Sequence, residues 1–143
     1  MGFATSGATA VIFIGLLVAV GTLYPAMEHA DERVFDARDA HDDRALDQRN
    51  TAITVTQTTY NATLNELTVT VENTGSTTLS VTQTDLLVDG AYQASRTTSV
   101  GGDANRTVWV SGETLTITVT GVVPQPSRVK VVTEYGVAAV EEV

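Results

Sequence analysis

Residues 66–75 read "ELTVTVENTG", and the pattern of these ten residues decides the fold. Leu67, Val69 and Val71 alternate with Thr68 and Thr70, the period of two that places one set of side chains in a core and the other in water. Asn73-Thr74-Gly75 then ends the run, as turn-forming residues do. The same signature recurs on both sides. Ile53 and Val55 alternate with Thr54 and Thr56 in "AITVTQTTY", Leu115, Ile117 and Val119 alternate in "TLTITVTG", and Val129 and Val131 face away from Arg128 and Lys130 in "SRVKVVTEY". "LLVDGAY" carries Asp89-Gly90, a tight-hairpin signal between Leu87-Val88 and Ala91-Tyr92. The pattern predicts seven strands, near residues 52–59, 65–72, 78–88, 91–97, 106–110, 113–120 and 127–135. Short strands with regular turns fit an all-β immunoglobulin-like sandwich over 50–143.

The first fifty residues have a different character. Residues 2–27, "GFATSGATAVIFIGLLVAVGTLYPAM", carry no charge. With Met1, this uncharged stretch would extend roughly 40 Å as a helix, more than the ~30 Å hydrocarbon core of a bilayer. Tyr24 and Pro25 stand near its far end, where an aromatic ring and a missing backbone donor suit a membrane interface. A secretory signal has a basic start and a shorter apolar run, and a pilin-type leader carries a basic residue at the cut. Neither pattern is present around Gly2. The expectation is a retained transmembrane anchor over 1–27. Ala4 with Ala8, and Gly15 with Ala19, set small residues four apart, a spacing that lets helices approach closely in lipid. Arg33 and Arg38 flank the apolar run on its C-terminal side, which alone leans toward an internal C-terminus. The excess of acids around them and the surface-module character of the sandwich favour an external one.

Residues 28–49 carry eight acids and four arginines, net −4, with neither Gly nor Pro. Met27, Ala30, Val34, Ala37, His41 and Ala45 recur at steps of three or four, a narrow seam on a polar helix. Arg33 with Asp36, Arg38 with Asp42 and Arg44 with Asp47 stand at pairing distance along such a helix, while Asp39, Asp43 and Asp47 repel one another. The reading is an acidic helical stalk. "DAHDD" gathers His41 with Asp39, Asp42 and Asp43, but on a helix His41 points away from the face that Asp39 and Asp43 share, so no metal site is expected.

Composition limits the function. Net charge is −9 with a single lysine, Lys130, among eight bases, so nucleic acid is not an expected partner. Acid excess with almost no lysine suits a protein of concentrated salt. Cysteine is absent, both histidines lie before residue 50, and no nucleophile-elbow or phosphate-loop pattern occurs. No catalytic, cofactor or metal residue is expected, and the chain reads as a non-enzyme. Trp109, between Val108 and Val110, reads as core or sheet edge. Glu141-Glu142 read as a fraying tail. Two N-glycosylation sequons fall at expected turns, Asn61-Ala62-Thr63 and Asn105-Arg106-Thr107.

The uncharged "GFATSGATAVIFIGLLVAVGTLYPA", the "ERVFDARDAHDDRALDQRNTAI" stalk and "LTVTVENTGSTTLSVTQTDLLVDGAY" together resemble the haloarchaeal FlaF/FlaG family of archaellum accessory proteins. The resemblance covers nearly the whole chain and is most specific over "VENTGSTTLSV…DLLVDG". It implies a membrane helix, a sandwich outside the membrane beneath the S-layer, and a stator role in the archaellum motor. Implied partners are the S-layer protein, a FlaG-type sister subunit, other archaellum components, the membrane and a second copy of the chain. The short C-terminus favours the FlaF type. Two other functions fit the same layout: a minor pilin-like or archaellin-like filament subunit, and a membrane-tethered sandwich that binds carbohydrate or another solute.

Overall fold

The computed structural model describes the backbone of residues 2–143 and the side chains of residues 7–21 and 32–143. The helix α1 spans Gly2–Asn50 and ten strands follow. The chain forms two compact units, the first ending at Asp43 and the second Arg44–Val143.

In the first unit every described side chain is exposed. Val11, Ile12, Phe13, Ile14, Leu16, Leu17, Val18 and Val20 present 59–72% of their surface. A helix that is apolar all round is suited to lipid or to other helices rather than to water. Among the described residues, no helix is long and apolar enough to cross a membrane. The expected anchor also takes in residues 1–6 and 22–27, which lie outside the described side chains, as do Ala4, Tyr24, Pro25 and His29. Past Glu32 the helix turns polar. The expected pairs Arg33–Asp36, Arg38–Asp42 and Arg44–Asp47 are not closed; instead His41 Nδ1 stands 3.8 Å from Asp42, both more than three-quarters exposed. Fully hydrated pairs gain little from closing, which accounts for the open arginines. Among the described residues no three His, Cys, Asp or Glu side chains converge as metal ligands.

The second unit is an all-β sandwich. The strands are β1 (Ile53–Asn61), β2 (Glu66–Asn73), β3 (Leu79–Ser80), β4 (Asp85–Val88), β5 (Ala91–Tyr92), β6 (Thr97–Val100), β7 (Val108–Trp109), β8 (Thr114–Thr120), β9 (Arg128–Val132) and β10 (Ala138–Glu142). They form one antiparallel sheet ordered β1-β2-β8-β6, another ordered β10-β9-β4-β5, and a short ladder of β3 with β7. The register sets apolar residues side by side. Leu67 pairs with Val119, Val69 with Ile117 and Val71 with Leu115 on one sheet; Leu86 pairs with Val131 and Val88 with Val129 on the other. These ten join Leu79, Val81, Val100 and Trp109 in one buried cluster. Burying a Val or Leu side chain contributes about 1.5–3 kcal/mol, so this cluster dominates the stability of the unit.

The structure corrects several expected boundaries. The strand expected over 78–88 is two strands. Between them the chain turns at 81–84, where Thr84 Oγ1 donates to Ser80 O at 2.6 Å and the Glu134 carboxylate takes the Ser80 amide at 3.0 and 3.1 Å. The strand expected over 91–97 is also broken, because Arg96 donates to Gln93 O at 2.8 Å and to Thr84 O at 2.6 Å and so holds a loop there. Residues 141–142 are not a frayed tail: β10 pairs with β9 from Ala138↔Val132 to Glu142↔Arg128. The simple alternation of β1 fails at a bulge between Val55 and Gln57, after which Thr58 and Tyr60 take the half-buried positions. The Asp89-Gly90 hairpin forms as expected, both residues at positive φ (48° and 87°), the conformation a two-residue turn of this hand requires.

Candidate functional site

The last carbonyls of a helix have no partner within it and must find one elsewhere. Within the second unit the end of α1 finds them in the sandwich. Asn50 O accepts from the amides of Ser76 (2.9 Å) and Thr77 (3.4 Å), and Ala52 O accepts from Thr74 and Gly75, both at 2.9 Å. Asp47 O accepts the hydroxyls of Thr51 (2.7 Å) and Thr77 (3.4 Å). The segment that supplies these donors is the "NTGST" turn that follows β2.

Asn73 shapes that turn. It is fully buried at the end of β2. Its Nδ2 donates to Thr77 O at 2.8 Å and Trp109 O at 3.3 Å, and its Oδ1 accepts the Gly75 amide at 3.1 Å. A buried amide with both ends satisfied fixes one loop geometry. Gly75 is required by contact: a Cβ there would stand 2.4 Å from both Asn50 O and Ala52 N.

Tyr135 closes the other side. Gln48 Nε2 donates to Tyr135 O at 3.2 Å. Burial is the main reason the Tyr135 hydroxyl sits above its ordinary range; the charges of Asp47 and Glu134 and a hydrogen bond to Asp47 push it the same way. The site therefore joins the last helical turn to two separate loops through backbone and side-chain hydrogen bonds. The arrangement fastens the end of α1 to the sandwich within the second unit.

The expected site residues are placed as follows. Ala8, Gly15 and Ala19 lie on the exposed surface of α1, and a Cβ on Gly15 would meet nothing within 4 Å. Asn61 ends β1, exposed, with its Oδ1 accepting the amides of Thr63 (3.0 Å) and Leu64 (3.2 Å). Asn105 is exposed in the turn before β7. Trp109 is completely buried, so its ring is core and offers no stacking platform for a sugar. Asn73, Gly75, Asp47 and Tyr135 were not anticipated. In the sequence Asn73 and Gly75 read only as a strand terminator in "ENTGST", Asp47 only as a charge on the stalk, and Tyr135 carries no signal.

Comparison with known families identifies the chain. The family described as archaeal-type flagellin matches residues 2–143, helix and sandwich together. The chain belongs to the archaeal-type flagellin family. The resemblance to archaellum proteins read from the sequence is thereby borne out at the level of the family. Among curated proteins none matches the chain significantly. Two solved structures from Sulfolobus acidocaldarius are similar to it. The archaellum periplasmic stator protein FlaG is 18% identical, with a TM-score of 0.48, covering 65% of this chain and 99% of its own. The periplasmic stator complex of FlaF and FlaG is 16% identical, with a TM-score of 0.45, covering 64% of this chain and 87% of its own.

Proposed function

We propose that this member of the archaeal-type flagellin family is a stationary component of the archaellum motor, of the FlaF type, and not an enzyme. In this reading the uncharged run of 1–27 is a retained single-pass membrane anchor, 28–49 is a stalk, and the immunoglobulin-like sandwich lies outside the membrane beneath the S-layer. There it grips the S-layer protein, a FlaG-type sister subunit or another archaellum component. A motor needs such a part because a rotating filament requires a counterpart fixed to the envelope.

The observation that carries the reading is the joint. Four backbone hydrogen bonds tie the carbonyls of Asn50 and Ala52 to the 74–77 turn, with Gly75 closing the approach. A tether on a flexible linker would need none of this; a part that transmits force from helix to sandwich does. The acid excess and single lysine support a setting of concentrated salt, as in a haloarchaeon. Pairing of helices through Ala4, Ala8, Gly15 and Ala19 would allow a homo-oligomer in the membrane, and glycans at Asn61 and Asn105 would suit the external face.

A second reading, a filament subunit, is favoured by one observation: the flagellin family match runs through the helix as well as the sandwich. The mass of the native protein separates the two. A stator component keeps its N-terminus apart from Met1, whereas a filament subunit starts at or beyond Ala4 after its leader is removed. Protease added to intact cells stripped of the S-layer checks the topology; the sandwich should be digested, and protection until lysis would place it inside.

A further inference from the structure

The sandwich is acidic, yet its cations are not spread evenly. Residues 50–143 carry nine acids and four bases, Arg96, Arg106, Arg128 and Lys130. Two of the four are engaged within the fold. Arg96 stands 3.5 Å from Asp85, and Arg106 is paired with Glu113. Among the described residues, Arg128 and Lys130 form no ion pair. Both are exposed on β9, two residues apart and therefore on the same outward face of the sheet β10-β9-β4-β5.

The cross-strand neighbours of Lys130 are apolar. The register runs Val140↔Lys130 on one side and Leu87↔Lys130 on the other, with Tyr92 opposite Leu87. Val140 is 52% and Tyr92 58% exposed. Arg128, Lys130, Leu87, Gly90 and Val140 line a shallow depression of about 180 Å³. Two carboxylates lie nearby. Asp89 is occupied by the amides of Ser127 and Arg128, each at 3.0 Å from Oδ1. Glu142 is opposite Arg128 in register but does not reach it as an ion pair.

We propose that this face docks an acidic protein segment, its carboxylates meeting Arg128 and Lys130 and its apolar side chains resting on Leu87, Tyr92 and Val140. Charge complementarity selects the occupant: the two unpaired cations of an otherwise acidic domain stand together on an exposed apolar floor, which repels cationic partners and concentrates anionic ones. The inference deepens the proposed function by naming the face and the partner chemistry, and rests on it only for the claim that the sandwich grips a protein.

The test uses the full chain in detergent and a fluorescent eight-residue peptide of alternating Glu and Val. Its Gln-for-Glu counterpart is the control, and binding is read by anisotropy at low and molar salt. Wild type should bind the Glu peptide at least tenfold more tightly than the Gln peptide at low salt, with the difference shrinking as salt screens the charges. R128E/K130E should lose that preference, R128K/K130R should keep it, and unchanged thermal melts confirm that the variants fold. R128Q/K130Q serves if the reversed pair melts early. Equal binding of the two peptides by wild type, or an unchanged preference in R128E/K130E, overturns the proposal. So does self-association of the chain that R128E/K130E abolishes, which assigns the face to a second copy. If the peptide results hold but cells carrying R128E/K130E retain a fixed, working motor, the docking face stands and the stator reading fails.

Discussion

The backbone of Gly75 lies against the end of the helix at Asn50, so close that any side chain at 75 would overlap the Asn50 carbonyl. The distance for a Cβ, 2.4 Å, involves backbone atoms on both sides, which cannot rotate away as a side chain could. Substitution G75A should therefore push the 74–77 turn off the helix end and cost about 1–3 kcal/mol, the range for forced overpacking. Chemical denaturation of residues 44–143 measures this. An unchanged midpoint would mean the joint is looser than the geometry indicates.

Glu113 gives the sandwich an acid-sensitive element. The Arg106 guanidinium holds its carboxyl below the ordinary glutamate value of 4.5, helped by the Val110 amide. The folded value is depressed, so the unfolded chain takes up its proton first. The contribution is complete above the ordinary glutamate range and is lost as pH falls through the folded value. E113Q should be less stable than wild type at neutral pH and converge with it as pH falls below about 5, which flattens the acid limb of the stability profile. Parallel acid limbs for the two proteins would remove the pair from the account.

Tyr135 acts at the opposite end of the scale. Burial, with Asp47 and Glu134, raises its hydroxyl above the ordinary 10.0. Its proton leaves the unfolded chain first, so stability present below pH 10 declines as pH rises from there toward the folded value. Y135F should remove that alkaline decline. A Y135F variant that keeps the wild-type slope would place the titrating group elsewhere.

Legibility in the sequence varied with how local the cause was. The alternation of Leu67, Val69 and Val71, and of Leu115, Ile117 and Val119, is imposed by a buried face and an exposed face, so it could be read directly. The Asp89-Gly90 hairpin was readable because those two residues suit positive φ. β10 was not, because "AAVEE" has no alternation of its own and becomes a strand only through pairing with β9. The break at 81–84 depends on Glu134, more than fifty residues away, capping Ser80. The joint was hidden for the same reason: "NTG" announces a turn, but nothing local says that the turn's amides will be spent on the carbonyls of Asn50 and Ala52.

The second unit contains its own core, so a fragment of residues 44–143 should fold without the rest of α1. That fragment carries ten acids and six bases, net −4. Folding concentrates this charge, and salt screens it. Circular dichroism should show a cooperative β-type melt whose midpoint rises between low and molar salt. A midpoint that stays flat or falls would break the electrostatic argument, and a coil-like spectrum at high salt would break the independence of the sandwich.

The central claim is that the chain is a fixed part of the archaellum machinery. Affinity purification of the full-length protein from native membranes in molar salt, with its companions identified by mass spectrometry, tests it most directly. The account predicts archaellum motor and S-layer components. Recovery of chemoreceptors or transport permeases, with archaellum and S-layer proteins missing, would contradict it.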